Sequence, residues 1–156
     1  MKVKIIFLDI DGVLNNPGCY AKASGSHVPA DPSCVAALNH ITDFTGALIV
    51  ISSTWRFMGL MPCKDHLTKW GVTGEVLGLT PSGRVSRRAA RIENRPRGCE
   101  ILDWLQSFDR YGVESFVILD DDDDMGILIN RLVQTKGHIG LTMADAEKAV
   151  LMLNQQ

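Results

Sequence analysis

The sequence predicts an α/β domain, with a mostly parallel central sheet covered by helices on both faces. Two observations carry that expectation. Short β-branched and aromatic runs alternate with stretches of helical periodicity, the pattern of strand–helix–strand crossovers. The runs are mostly apolar, without strict alternation, as befits strands buried on both faces. At 156 residues and 46% hydrophobic, the chain suffices for one such domain over residues 1–156 and is too short for two.

The first strand is "VKIIFL", Val3 to Leu8, a central strand that ends in Asp9. Residues 15 to 32, "NNPGCYAKASGSHVPADP", are rich in Gly, Pro, Ser and Asn without periodicity and read as a long loop excursion. A helix follows, with Asp31 as N-cap, Pro32 at its first position, and Val35, Ala36, Leu38, Ile41 and Phe44 at helical spacing until Gly46. "ALIVISS", Ala47 to Ser53, is the second buried strand. Behind the turn at Arg95-Pro96, residues Pro96 to Phe108 place Ile101, Leu102, Trp104, Leu105 and Phe108 on one stripe of a crossover helix. "GVESFVILD", Gly112 to Asp120, is the third strand. "RLVQT", Arg131 to Thr135, reads as a short fourth, and Thr142-x-x-Asp145 has the form of a capping box opening a last helix through Leu153.

Several function classes drop out early. No apolar run approaches the roughly 18 residues of a membrane span, and "MKVKIIFLDIDG" turns acidic too soon for a signal peptide. A soluble cytoplasmic protein without membrane association is expected. Cys19, Cys34, Cys63 and Cys99 are scattered and read as free thiols, with neither disulfide nor zinc. His27, His40, His66 and His138 share no ligand spacing, and there is no P-loop, GxGxxG or HExxH.

The net charge of -2 conceals a strong polarity. Arg84, Arg87, Arg88, Arg91, Arg95 and Arg97 face only Glu93 in their stretch, whereas Asp120 to Asp124 form an unbroken acidic block. Either block can be a solvated surface, or the two can meet at a shared anion and cation. In an open parallel sheet, ligands gather at the carboxyl ends of the strands. Three strands end there in Asp9-Ile10-Asp11-Gly12, Ser52-Ser53-Thr54-Trp55-Arg56 and Asp120-Asp121. Clustered carboxylates raise one another's pKa unless a cation balances them, and an all-oxygen set favours Mg²⁺. A calcium loop fails on spacing, because with Asp120 first the glycine position is Met125 and the twelfth is Arg131.

"FLDIDGVLN" resembles the first motif of the haloacid dehalogenase (HAD) superfamily, hhhDxDGhL. "LIVISS" resembles the second, an apolar strand ending in Ser or Thr. Arg97 before "GCEILDWL" resembles the basic third, and "VILDD" the acidic fourth. Within the superfamily, "DIDGVLN", "SSTWR", a basic residue before "EILDWL", and "ILDD" are most similar to compact HAD domains associated with RNA repair proteins. The resemblance implies a Rossmann-like three-layer α/β/α fold with little or no cap domain, its site open or covered only by residues 15 to 32.

It also implies roles. Asp9 would be the nucleophile, ionised near an ordinary carboxylate pKa of about 4. Asp11 would be general acid and base. Asp9, Asp11, Asp120 and Asp121 would hold Mg²⁺, with Asp121 the expected fourth-motif ligand and Asp120 or Asp124 in support. Gly12 would let the backbone turn against a phosphate. Ser52, with Ser53 its competitor, would hold a phosphoryl oxygen, and Arg56 would be a second phosphate clamp or an ion-pair partner. The third-motif residue is commonly Lys; here Arg97 takes the place, with Arg95 open as an alternative. Trp55, Trp70 and Trp104 read as packing, Trp55 being the one beside the site.

The implied activity is that of a Mg²⁺-dependent phosphomonoesterase working through an aspartyl-phosphate on a small molecule or a nucleic-acid end. A catalytically silent phosphate-binding or regulatory module is the alternative. A sugar-transferase reading of "DID" lacks room for donor and acceptor domains, and the acidic spacing fits a response-regulator receiver poorly. Oligomeric state is not legible.

Overall fold

The computed structural model describes residues 2–25, 27–82, 95–108 and 112–155. Five strands, β1 (Val3–Leu8), β2 (Leu48–Ile51), β3 (Val76–Leu79), β4 (Val113–Asp120) and β5 (Leu132–Gln134), form one all-parallel sheet in the order β3-β2-β1-β4-β5. The helices are α1 (Pro17–Ala21), α2 (Pro32–Thr45), α3 (Leu60–Lys69), α4 (Arg97–Phe108) and α5 (Met143–Asn154). The α/β architecture follows the sequence reading, including the central position of β1.

Two apolar layers sandwich the sheet. Ile6, Leu8, Ile49, Ile51, Val117 and Leu119 point to one face and pack with α2, α3 and α5. Ile5, Phe7, Val50 and Ile118 point to the other and pack with Ile101 and Trp104 of α4. This alternation is the period of two that a strand imposes, and both sets are apolar because both faces are covered. Phe7 meets the Trp104 ring edge-on at 5.3 Å, which locks α4 across the centre of the sheet.

The helix signals held. Asp31 caps α2 by accepting from the Ser33 amide at 2.9 Å, Pro32 follows, and Gly46 ends the helix with a left-handed φ of 66°. Thr142 and Asp145 form the reciprocal capping box of α5. Three elements were not expected: β3, α3 and the short α1 inside the 15–32 excursion. "VLGL" is short and contains a glycine, and "LMPCKDHLTK" carries a proline and few apolar positions, so neither has a clear periodic signal. In α1, Asn16 caps by accepting from the Gly18 and Cys19 amides. A 3-10 turn at Thr54–Met58 follows β2, and a second at Gly126–Arg131 precedes β5.

Sheet order creates the site. The chain passes from β1 outward through β2 to β3, then crosses back to place β4 on the other side of β1. The crevice at the carboxyl ends of β1 and β4 is the topological switch point of this sheet. Among the described residues, no helix is long and apolar enough to cross a membrane.

Candidate active site

Strand register brings the residues level. Leu8 pairs with both Ile51 and Leu119, so Asp9, Ser52 and Asp120 are the next residues on three adjacent strands. The Asp9 amide still donates to Leu119 O at 2.9 Å, and the Ser52 amide to Leu8 O at 2.8 Å. By alternation all three continue the set Phe7, Val50 and Ile118, which faces α4. The first turn of α4 carries Arg97.

Oxygens of Asp9, Asp120 and Asp121 all lie within 4.8 Å of one another. Asp9 and Asp120 are buried, 9% and 3% exposed. Burial, and then the charge of Asp120, pushes the Asp9 carboxyl up to about 8, against the opposing pull of Arg97. The expectation of an ordinary acidity at Asp9 therefore does not hold for the metal-free chain. Burial likewise raises Asp120 to about 7, with the Asp122 amide and Arg97 opposing. These three carboxylates fit a divalent cation: the donors are all hard oxygens, and a cation would offset the cost of burying their charge side by side.

Asp121 sits in a slot with no side chain on either wall. A Cβ on Gly12 would stand 2.5 Å from Asp121 Oδ2, and one on Gly137 2.9 Å from the same oxygen. Gly12 also has φ 81°, so its role as a turn glycine is joined by a packing role. Thr135 Oγ1 donates to Gly12 O at 2.7 Å and braces the turn from behind β5.

The Asp11 side chain stands outside the cluster of three. Its Oδ1 accepts from Asn15 Nδ2 at 2.9 Å and from Tyr20 Oη at 2.6 Å, and its Oδ2 accepts from Trp55 Nε1 at 3.0 Å. Trp55 is thus a hydrogen-bond donor as well as a packing residue, edge-on to His66 and Trp70.

The rest of the acidic block divides its labour. Asp124 caps α4, its Oδ2 accepting from the Arg97 amide at 2.9 Å and its carbonyl from the Gly98 amide at 3.1 Å. The Asp122 amide donates to Asp120 Oδ1 at 2.9 Å, and the Asp123 amide to Asp122 Oδ1 at 2.8 Å, which folds the run into a turn. Asp122 and Asp123 are exposed.

Of the two candidate arginines, Arg97 faces the site and Arg95 does not. Arg97 Nε lies 3.9 Å from Asp120 Oδ2, its Nη1 3.5 Å from Glu100 Oε2, and its side chain lines the pocket. Arg95 pairs with Asp103 farther along α4. For Arg56, the structure has the ion-pair alternative: its Nη2 holds Glu100 Oε1 at 2.8 Å and its Nη1 donates to Ser53 O, and the residue does not line the pocket. The pair of serines is resolved as well. Ser53 caps the 3-10 turn by accepting from the Trp55 amide, whereas Ser52 Oγ has its hydroxyl uncommitted.

Three buried side-chain atoms among the described residues have no hydrogen-bond partner: Ser52 Oγ, Arg56 Nε and Arg97 Nη1. Two of them are guanidinium nitrogens, on arginines that both pair with Glu100, and the third is the hydroxyl just past the end of β2. A cavity of about 350 Å³ opens at the carboxyl ends of the strands, lined by Asp9, Asp11, Gly12, Tyr20, Arg97 and Asp121 among others. Asn15, Asn16, Pro17 and Tyr20 bring the 15–32 excursion to its rim. Sequence reasoning missed Glu100, Asn15 and Tyr20. Glu100 had one available signal, its i,i+3 spacing from Arg97; Asn15 and Tyr20 had none. Of the arginine stretch, Arg84, Arg87, Arg88 and Arg91 lie outside the described residues.

A family model described as the HAD domain in Swiss Army Knife RNA repair proteins matches residues 5–146. No curated protein and no solved structure matches the chain.

Proposed function

The chain belongs to the family of HAD domains in Swiss Army Knife RNA repair proteins, and from that premise we propose that it is a Mg²⁺-dependent phosphomonoesterase with Asp9 as its nucleophile. The carrying observation is the position of Asp9, buried at the end of the central strand with oxygens of two further carboxylates within 4.8 Å and with Arg97 lining the same pocket. A structural carboxylate would be paired off; this one is packed against like charge.

Asp9, Asp120 and Asp121 would hold the cation, which when bound neutralises their charge and polarises a phosphoryl oxygen. An Asp9 oxygen forms a bond to phosphorus while the ester P–O bond breaks, its electron pair leaving on the departing oxygen. Asp11 gives that oxygen its proton. Arg97 donates to the phosphoryl oxygens as negative charge builds on them. Ser52 Oγ supplies a further hydroxyl at the same level. In the second half, water attacks phosphorus, gives its proton to Asp11, and releases phosphate and free Asp9.

The substrate we infer is a terminal phosphate on a nucleic acid, in keeping with the RNA-repair setting of the family and the six arginines between Arg84 and Arg97. Hydrolysis of p-nitrophenyl phosphate with Mg²⁺, silenced by EDTA and restored by added metal, tests the activity. Mass spectrometry of an acid-quenched reaction should find the phosphoryl group on the peptide carrying Asp9. An inert protein that still binds phosphate would favour a silent phosphate-binding module instead.

A further inference from the structure

Asp11 differs in kind from the other carboxylates of the site. It lies two residues from Asp9, yet its oxygens face neutral donors. Those donors come from three separate pieces of chain: Asn15 from the loop after β1, Tyr20 from α1, and Trp55 from the turn after β2. Together they take three of the four or so lone-pair positions a carboxylate offers. About one remains.

Each donor is itself held. Asn15 is fully buried, and its Oδ1 accepts from the Gly12 amide at 3.0 Å, so the same side chain grips both ends of the turn. Trp55 is wedged edge-on against His66 at 5.4 Å and Trp70 at 5.3 Å, which prevents its indole from swinging away. Tyr20 rides on α1, whose cap Asn16 is tied to Asp31 Oδ2 at 2.9 Å and to Ile139 O at 3.2 Å. Position matters here because a displacement of about 1 Å at a reacting group can cost on the order of 10²-fold in rate.

Resting on the phosphohydrolase reading above, we propose that Tyr20, Asn15 and Trp55 are positioning residues that clamp Asp11 out of the metal cluster and hold it as the acid for the leaving oxygen. The step it serves breaks the ester P–O bond, leaves the electron pair on the departing oxygen, and moves the Asp11 proton onto it. A weakly basic aryl oxygen departs without that proton. An alkyl oxygen, such as the sugar oxygen of a nucleotide, needs it.

The test compares dinitrophenyl phosphate with the alkyl ester β-glycerophosphate, using the full chain with Mg²⁺. Tyr20→Phe and Trp55→Phe should each lower kcat/KM on the alkyl ester by about 10- to 100-fold, and on the aryl ester by less than about threefold. This ratio reports formation of the aspartyl-phosphate and leaves out the second half-reaction, in which Asp11 serves both esters alike. Asp11→Asn should show the same split, larger. Equal losses on both esters, or none on either, would overturn the clamp in favour of a structural role. If Asp11→Asn shows the split and the clamp variants do not, the clamp alone fails. If Asp11→Asn shows no split while the wild type hydrolyses both esters, Asp11 is not the acid and the clamp falls alone; if the wild type hydrolyses neither ester, the phosphohydrolase reading falls and takes the clamp with it. Should Trp55→Phe fail to fold, Tyr20→Phe decides, since it removes only a hydroxyl from a half-exposed residue.

Discussion

Arg56 Nη2 stands 2.8 Å from Glu100 Oε1 in a pair whose side chains are both more than nine-tenths buried. The pair ties the turn after β2 to the first turn of α4, and Glu100 reaches on to Arg97 with its other oxygen at 3.5 Å. One carboxylate therefore faces two guanidiniums. Removing one partner of a buried pair leaves an uncompensated charge, at a cost of about 3–5 kcal/mol. Glu100→Ala should lose about that much in urea denaturation. It should also lower kcat, because Arg97 would no longer be held. A loss below about 1 kcal/mol would show the pair to be exchangeable with water.

Asp9→Asn should abolish turnover and leave the circular dichroism spectrum unchanged. Asp121→Asn should leave turnover but raise the Mg²⁺ concentration needed for it. Full activity in Asp9→Asn would remove the nucleophile from the scheme.

Arg97→Ala should lower kcat by about 10²- to 10³-fold, the scale of losing one donor to a developing oxyanion. Arg95→Ala, whose parent side chain is engaged by Asp103, should change it little. Steady-state rates on p-nitrophenyl phosphate compare the two directly, and the reverse order would assign the role to Arg95.

Much of this site was legible because strand ends are legible. An apolar run followed by DxD or DD fixes both the strand and the residue where it stops, so Asp9 and Asp120 could be placed from the sequence. The preference for Arg97 over Arg95 could be stated as well. What sequence could not show was where side chains point. Arg56 and Ser53 match a phosphate-site pattern, yet burial gave Arg56 to Glu100 and turn geometry gave the Ser53 hydroxyl to the Trp55 amide. Nor could sequence show the donors that hold the Asp11 side chain, one of which, Trp55, lies 44 residues away. β3 and α3 escaped for a plainer reason: they owe their form to packing against β2 and the aromatic cluster more than to any local pattern.

The raised carboxyls make stability depend on pH in an unusual direction. Asp9 and Asp120 titrate at about 8 and about 7 in the folded chain, against about 4 when unfolded. Between those limits the native state binds more protons than the unfolded one, so stability falls as pH rises from about 4 and levels off above about 8. The metal-free protein should melt several degrees lower at pH 8 than at pH 5. Mg²⁺ binds the ionised form, so it should raise the melting temperature more at pH 8. Asp9→Asn should blunt the pH dependence. A melting temperature that rises from pH 5 to pH 8 without metal would contradict the cost assigned to burying these carboxylates in charged form.

Substrate preference turns on the arginines that precede α4. If several of Arg84, Arg87, Arg88 and Arg91 follow a phosphate backbone leading into the pocket, a phosphorylated oligonucleotide gains contacts that a mononucleotide cannot make. Binding would then weaken with salt, with a log-log slope of about -0.7 for each phosphate contacted on a single strand. Charge reversal at Arg87 and Arg88 should flatten that slope and leave p-nitrophenyl phosphate turnover unchanged, because the small ester needs only the groups at the strand ends. The deciding measurement is kcat/KM for a 3′-phosphorylated oligonucleotide against a mononucleotide 3′-phosphate at two salt concentrations. A preference for the oligonucleotide that shrinks with salt supports a nucleic-acid end as substrate. Equal, salt-insensitive values would mean that the arginines are solvated surface and that the pocket serves small phosphate esters.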